Sequence, residues 1–117
     1  LVVDDIDEQR LIAVQILKQL GYKAEAVEGG DAAVRYVETH AVDLLILDMI
    51  MPPGPDGLDT YIQISAIRPG IKAIIASGFS ETDRVRKAQE LGAGSYIRKP
   101  YSIEKLAIAL QKTLAEL

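Results

Sequence analysis

The chain has no cysteine, no tryptophan, one phenylalanine and one histidine, and aromatic residues make up only 5% of its 117 positions. Without cysteine there is neither a disulfide framework nor a thiolate metal site, which suits a reducing, cytoplasmic compartment. The lone imidazole, His40, ends a polar helical segment, so it reads as solvated and argues against a phosphodonor histidine within the chain. No apolar run approaches the roughly 20 residues of a membrane-spanning helix, and no basic-then-apolar leader opens the sequence. Basic residues are in deficit as well: 13 Lys and Arg against 17 Asp and Glu leave a net charge of -4. Because non-specific nucleic-acid affinity comes mostly from cations displacing counterions, direct DNA or RNA binding is disfavoured.

Apolar side chains are abundant, at 49% of the chain, enough for one core. The expectation is a single domain over residues 1–117. Leu1 already stands inside an apolar run, so the chain reads as a fragment of something longer, with a monomer expected and its oligomeric state otherwise open. Short apolar runs recur at Leu1 to Val3, Tyr22 to Val27, Leu44 to Leu47, Ile71 to Ala76 and Ser95 to Ile97, giving five candidate strands. Between and after them lie five helical segments: Ile6 to Leu20, Asp31 to Thr39, Leu58 to Ile67, Glu81 to Leu91 and Ile103 to Leu117. In the first, Leu11, Ile12, Ile16, Leu17 and Leu20 fall at helical spacing. Gly21, Gly70 and Gly92 are placed as helix stops, and Ser80 and Ser102 as N-caps. Strict strand–helix alternation predicts an α/β fold with right-handed crossovers onto a parallel sheet covered on both faces. The unbroken run Leu44-Leu45-Ile46-Leu47 agrees, since a strand buried on both sides needs no polar alternation.

In such sheets the ligand crevice lies beyond the carboxyl ends of the strands. The first strand delivers Asp4 and Asp5 there, the third Asp48, the fourth Ser77, and the fifth is followed by Lys99-Pro100. Asp4 and Asp5 alone are equally compatible with a turn and a helix cap, Ser77 with ordinary turn chemistry, and Lys99 with a surface cation before a rigid turn. Their convergence on one rim is what points to a site. Three clustered carboxylates would repel by about 4 kcal/mol per pair at roughly 4 Å and an effective dielectric of about 20. A hard divalent cation such as Mg2+, which prefers oxygen ligands and phosphate co-ligands, is the natural neutraliser. One carboxylate is then free to act as a nucleophile toward a phosphoryl group, with the ammonium and hydroxyl aligned on its oxygens.

At Val3-Asp4-Asp5, Leu47-Asp48-Met49, Met51-Pro52 with Asp56-Gly57, Ala76-Ser77-Gly78 and Lys99-Pro100 the sequence resembles the response-regulator receiver domain along its whole length. The resemblance implies a flavodoxin-like (βα)5 doubly wound, five-stranded parallel sheet of order 2-1-3-4-5, an order taken from the family and not from periodicity. It implies that Asp48 accepts the phosphoryl group, that Asp5, Asp48 and the backbone carbonyl of Ile50 ligate Mg2+, and that Asp4 acts through water. It further implies that Ser77 and Lys99 hold phosphoryl oxygens, that Tyr96 is the aromatic switch, and that the bond to Pro100 is cis. The implied function is that of a phosphoacceptor switch, self-phosphorylating but not a turnover enzyme. The implied partner is a histidine kinase or a histidine phosphotransfer domain, and the output a changed α4-β5-α5 face.

One departure stands out. Pro53-Gly54-Pro55 makes the loop after Met51-Pro52 one residue longer than the family usually has, and two prolines stiffen it. Asp48 to Pro52 together with Asp56 to Tyr61 is similar to receivers at the C-terminus of hybrid sensor histidine kinases. Ile50 and Phe79, at positions the family uses to tune dephosphorylation, are both bulky and apolar, which predicts slow self-hydrolysis. Arg84, Arg86 and Lys87 form a basic patch on the fourth helix, read as a solvated face or a partner-docking surface. An enzyme rival is a haloacid dehalogenase-like phosphatase using Asp5 and Asp7, opposed by the lack of any aspartate beyond Asp83 for its later acidic motif. A flavodoxin-like nucleotide binder is opposed by carboxylates where a phosphate loop belongs. A degenerate receiver used only for docking is opposed by the complete acid, hydroxyl and lysine set.

Overall fold

A computed structural model describes residues 1–51, 54–78 and 82–115. Strands β1 (Val2–Val3), β2 (Ala26–Val27), β3 (Leu44–Asp48), β4 (Lys72–Ser77) and β5 (Tyr96–Arg98) alternate with helices α1 (Asp7–Gln19), α2 (Gly30–Thr39), α3 (Gly57–Ile67), α4 (Asp83–Glu90) and α5 (Ile103–Leu114). All pairings are parallel and the order is β2-β1-β3-β4-β5, the flavodoxin-like arrangement expected. All five residues of β3 are buried, as its continuous apolar run requires.

Side chains alternate along each strand, so the sheet divides the core in two. Val3, Leu45, Leu47, Ala73 and Ile75 pack with α2, α3 and α4 on one face. Val2, Leu44, Ile46, Ile74 and Ala76 pack with α1 and α5 on the other. The same alternation positions the acids. Val2 pairs with Ile46, so the register carried on by two residues sets Asp4 beside Asp48, both on the parity of the α1–α5 face.

Several elements differ from the sequence reading for identifiable reasons. β2 is two residues long instead of six, because its partner β1 offers only Val2 and Val3 as strand residues. On α1 the buried stripe is Ala13, Ile16 and Leu17; Leu11 is 59% exposed and Ile12 40%, since both fall outside the i, i+3, i+4 series that faces the sheet. Helix α4 begins at Asp83, and its cap is Thr82, whose hydroxyl accepts from the Val85 amide at 3.3 Å; Ser80 lies outside the described residues. α5 ends at Leu114 with Ala115 as its C-cap, and Glu116 and Leu117 are outside the described residues. The remaining punctuation agrees. Gly21, Gly70 and Gly92 take φ of +92°, +81° and +118° after their helices, and Ser102 caps α5 by accepting from the Lys105 amide at 3.1 Å. The Lys99-Pro100 bond is cis.

The lengthened loop after β3 is closed by backbone contacts at its base. Gly57 donates to the Met49 carbonyl at 2.9 Å, and a Cβ at Gly57 would stand 2.8 Å from the Asp48 carbonyl oxygen and 3.0 Å from Met49 Cα. Only glycine lets α3 start this close to the end of β3. Asp56, just before it, caps α3 by accepting from the Asp59 amide at 2.9 Å. Pro52 and Pro53 lie outside the described residues.

Candidate phosphoacceptor site

Asp4, Asp5 and Asp48 each bring a carboxylate oxygen within 4.8 Å of the other two at the carboxyl edge of the sheet. Asp4 is fully buried, Asp48 is 5% exposed and Asp5 is half-buried at the rim. Lys99, following β5, reaches across the strand ends: its Nζ lies 2.7 Å from Asp4 Oδ2 and 3.3 Å from Asp48 Oδ1. Burial and the neighbouring Asp4 and Asp5 charges raise Asp48 against the opposing pull of Lys99, so that its pKa is pushed up to about 6, well above the ordinary range of an aspartate. One ammonium does not balance three carboxylates. The surplus negative charge, the all-oxygen donor set and the close grouping fit a hard divalent cation such as Mg2+.

Both oxygens of Asp4 have protein donors. Oδ1 accepts from the Ile6 amide at 3.0 Å, a local turn of the kind an aspartate after a strand commonly makes. Oδ2 accepts from Lys99 and, at 3.4 Å, from the Tyr101 hydroxyl. Arg10 adds a 2.7 Å bond to the Asp4 carbonyl and also pairs with Asp7. Asp5 has more open rim around it, so the two adjacent acids occupy different environments.

The other predicted positions sit around this centre. Ser77 is buried at the last position of β4, its carbonyl accepting from the Lys99 amide at 2.8 Å. Ala76 is the register partner of Asp48, which puts Ser77 one step beyond the acid's level. Ile50, two residues past Asp48, has a half-exposed side chain at the rim, whereas Phe79 is outside the described residues. Tyr96, on β5, is half-buried against the core of the α2–α3–α4 face. Asp7 is not part of the cluster: its side chain is 91% exposed and paired with Arg10, so the Asp5–Asp7 pair of the phosphatase reading is not assembled. The basic patch on α4 is neutralised, not free. Arg84 grips Asp56 and Asp59, Arg86 pairs with Asp83, and Lys87 lies 3.9 Å from Glu90.

Tyr101 went unnoticed at sequence level because its position satisfies the apolar pattern by itself. It stands immediately before the Ser102 cap, where a hydrophobic residue commonly packs on the helix's fourth residue, and it shares a buried cluster with Leu106. Its distance of two residues from Lys99 was the available signal. A cavity of about 990 Å³ bounded by Leu1, Tyr22, Asp43 and Arg68 lies toward the opposite, amino edge of the strands, and Asp4, Asp5 and Asp48 do not line it.

The model of the response regulator receiver domain family matches residues 1–111. The chain belongs to this family. Receiver domains are the phosphoacceptors of two-component signalling, and the dehalogenase-like alternative is set aside. Among curated relatives, the chain is 31% identical over 114 residues to sporulation initiation phosphotransferase F of Bacillus subtilis, covering 97% of this receiver and 91% of that protein. A cyclic di-GMP phosphodiesterase of Thermotoga maritima is 32% identical over 114 residues, but the receiver spans only 30% of its length. Among solved structures, the N-terminal domain of a three-domain response regulator/sensory box/GGDEF protein from Carboxydothermus hydrogenoformans superposes with a TM-score of 0.89 at 26% identity, covering 98% of this chain and 92% of that one. A CheY-like receiver domain from Methanospirillum hungatei gives 0.85 at 27% identity, with 98% and 91% covered. No helix among the described residues is long and apolar enough to cross a membrane.

Proposed function

We propose that Asp48 accepts a phosphoryl group from a phosphohistidine on a histidine kinase or histidine phosphotransfer domain, in the cytoplasm. The carrying observation is the bridging of Asp4 and Asp48 by one ammonium inside a three-carboxylate cluster. An Asp48 oxygen attacks phosphorus, the O–P bond forms as the donor's N–P bond breaks, and the electron pair of that bond returns to the imidazole. Asp5, Asp48 and the Ile50 carbonyl would hold Mg2+, with Asp4 acting through water. The full engagement of Asp4 by protein donors and the openness around Asp5 favour that division. The ion's chemistry when bound is compensation of phosphoryl and carboxylate charge.

Lys99 and Ser77 are the groups to receive the phosphoryl oxygens, and Lys99 needs only to exchange one carboxylate for a new anion next to it. Movement of Ser77 at the end of β4 would open space toward Tyr96 on β5, whose half-buried ring then packs inward. The face formed by α4, β5 and α5 is the element whose equilibrium the new charge biases. The domain's own chemistry is self-catalysed acquisition and slow loss of the phosphoryl group, the apolar side chain of Ile50 at the rim shielding the acyl phosphate from water.

Incubation with acetyl phosphate and Mg2+ tests the reading. One acid-stable, base-labile phosphoryl group per chain, absent in Asp48→Asn, is expected. Steady release of phosphate from many equivalents of a small phosphomonoester would overturn it in favour of a hydrolase.

A further inference from the structure

Lys99 leans on Asp4 more closely than on Asp48, at 2.7 Å against 3.3 Å. A phosphoryl group on Asp48 would draw the ammonium toward its oxygens. Asp4 is fully buried, and a buried carboxylate that loses its cation is strongly disfavoured unless another donor remains. Its Oδ1 keeps the Ile6 amide. On Oδ2 the donor that remains is the Tyr101 hydroxyl, 3.4 Å away.

We propose that Tyr101 is a positioning residue for phosphoryl transfer: its hydroxyl takes over Asp4 Oδ2 as Lys99 shifts to the phosphoryl oxygens on Asp48. This rests on the assignment of Asp48 as phosphoacceptor. Packing does not account for the hydroxyl. The ring sits in the α1–α5 core beside Leu106 as the residue before a helix cap, and it lies beneath the Lys99 ammonium, 5.6 Å from Nζ to its centroid. Phenylalanine would serve both purposes. The phenol is 7% exposed and its side-chain partner is Asp4. Its bond is long for O–H···O, where about 2.7–2.8 Å is usual, as befits a donor standing behind a tighter ammonium on the same oxygen. Departure of the ammonium leaves that oxygen free to close on the hydroxyl. A phenol keeps its proton at neutral pH, so the Tyr101 hydroxyl remains a donor throughout. No proton is exchanged: Lys99 and Tyr101 each retain theirs while the O–P bond forms.

The test compares wild type, Tyr101→Phe and Tyr101→Leu for three quantities: the rate of phosphorylation by a fixed concentration of acetyl phosphate with saturating Mg2+, the Mg2+ dissociation constant by calorimetry, and the metal-free melting temperature. Tyr101→Phe should lower the rate about tenfold, the low end for a hydrogen bond to a charged group, while Mg2+ affinity stays within about twofold and melting is unchanged. Tyr101→Leu should show the same loss of rate together with a lower melting temperature, because it also removes the ring. A wild-type rate in Tyr101→Phe, or a loss of rate matched by an equal loss of Mg2+ affinity or by early melting, would overturn the proposal. If the wild-type chain itself takes up no phosphoryl group, the Asp48 assignment fails, and this inference falls with it.

Discussion

At Asp48 the fold opposes its own carboxylate. The folded residue holds its proton to about pH 6, whereas an unfolded one releases it near 3.8. Between those values the native state binds more protons than the unfolded chain, so the stability this residue contributes is present at low pH and lost as pH rises through about 6. In metal-free buffer, the melting temperature of wild type relative to Asp48→Asn should therefore fall from about pH 4 to about pH 6 and then level off; a flat difference would contradict the assigned environment. Asp5→Asn should likewise stabilise the metal-free domain, by up to about 1 kcal/mol, while abolishing phosphorylation. A destabilised variant that still phosphorylates would refute the role given to Asp5. These acids and Lys99 were legible in the sequence because apolar runs announce where strands end: Asp4 and Asp48 follow such a run directly, and Lys99 stands two residues past one. The hydroxyl of Tyr101 was not, because a tyrosine before a serine cap fulfils a packing pattern that says nothing about where its oxygen goes.

Two contacts between elements hold the rim in shape. Helix α3 begins against the backbone of Asp48 and Met49, where the absence of a side chain at Gly57 permits the approach. Gly57→Ala should lower stability by about 1–3 kcal/mol and slow phosphorylation, because the displaced atoms are the backbone of Asp48, the proposed acceptor, and Met49. Chemical denaturation and the acetyl phosphate assay on one preparation would check both effects. Arg84 of α4 reaches Asp56 Oδ2 at 2.5 Å and Asp59 Oδ1 at 3.1 Å, tying α4 to the start of α3. The pair is substantially exposed, so Arg84→Ala should cost no more than about 1 kcal/mol and less at high salt. Element boundaries were legible where glycines and a serine cap mark them. They were obscured where tertiary pairing decides: β2 is as long as β1 allows, and Leu11 and Ile12 satisfy a helical count without facing the sheet.

For the whole molecule, strand–helix alternation and a doubly buried central strand were enough to read a parallel sheet with both faces covered. Strand order came from family resemblance, since periodicity carries no information on which strands are neighbours. The architecture places carboxylates at the ends of β1 and β3 side by side and lowers an ammonium onto them from just past β5, leaving a charge excess that a bound cation would relieve. Mg2+ should accordingly raise the melting temperature at pH 7 in proportion to the logarithm of its concentration above the dissociation constant. That rise should shrink below about pH 6 as protons compete for Asp48, and it should be lost in Asp5→Asn.

The central claim is that the phosphoryl group resides on Asp48. Acyl phosphates are reduced by borohydride to the alcohol, so treating the acetyl phosphate- and Mg2+-reacted domain with borohydride, followed by peptide mass mapping, locates the acceptor directly. Conversion of residue 48 to homoserine, with residues 4, 5 and 7 unchanged, is the predicted result. Homoserine at residue 5, or no converted aspartate despite incorporation of phosphate, would contradict the account.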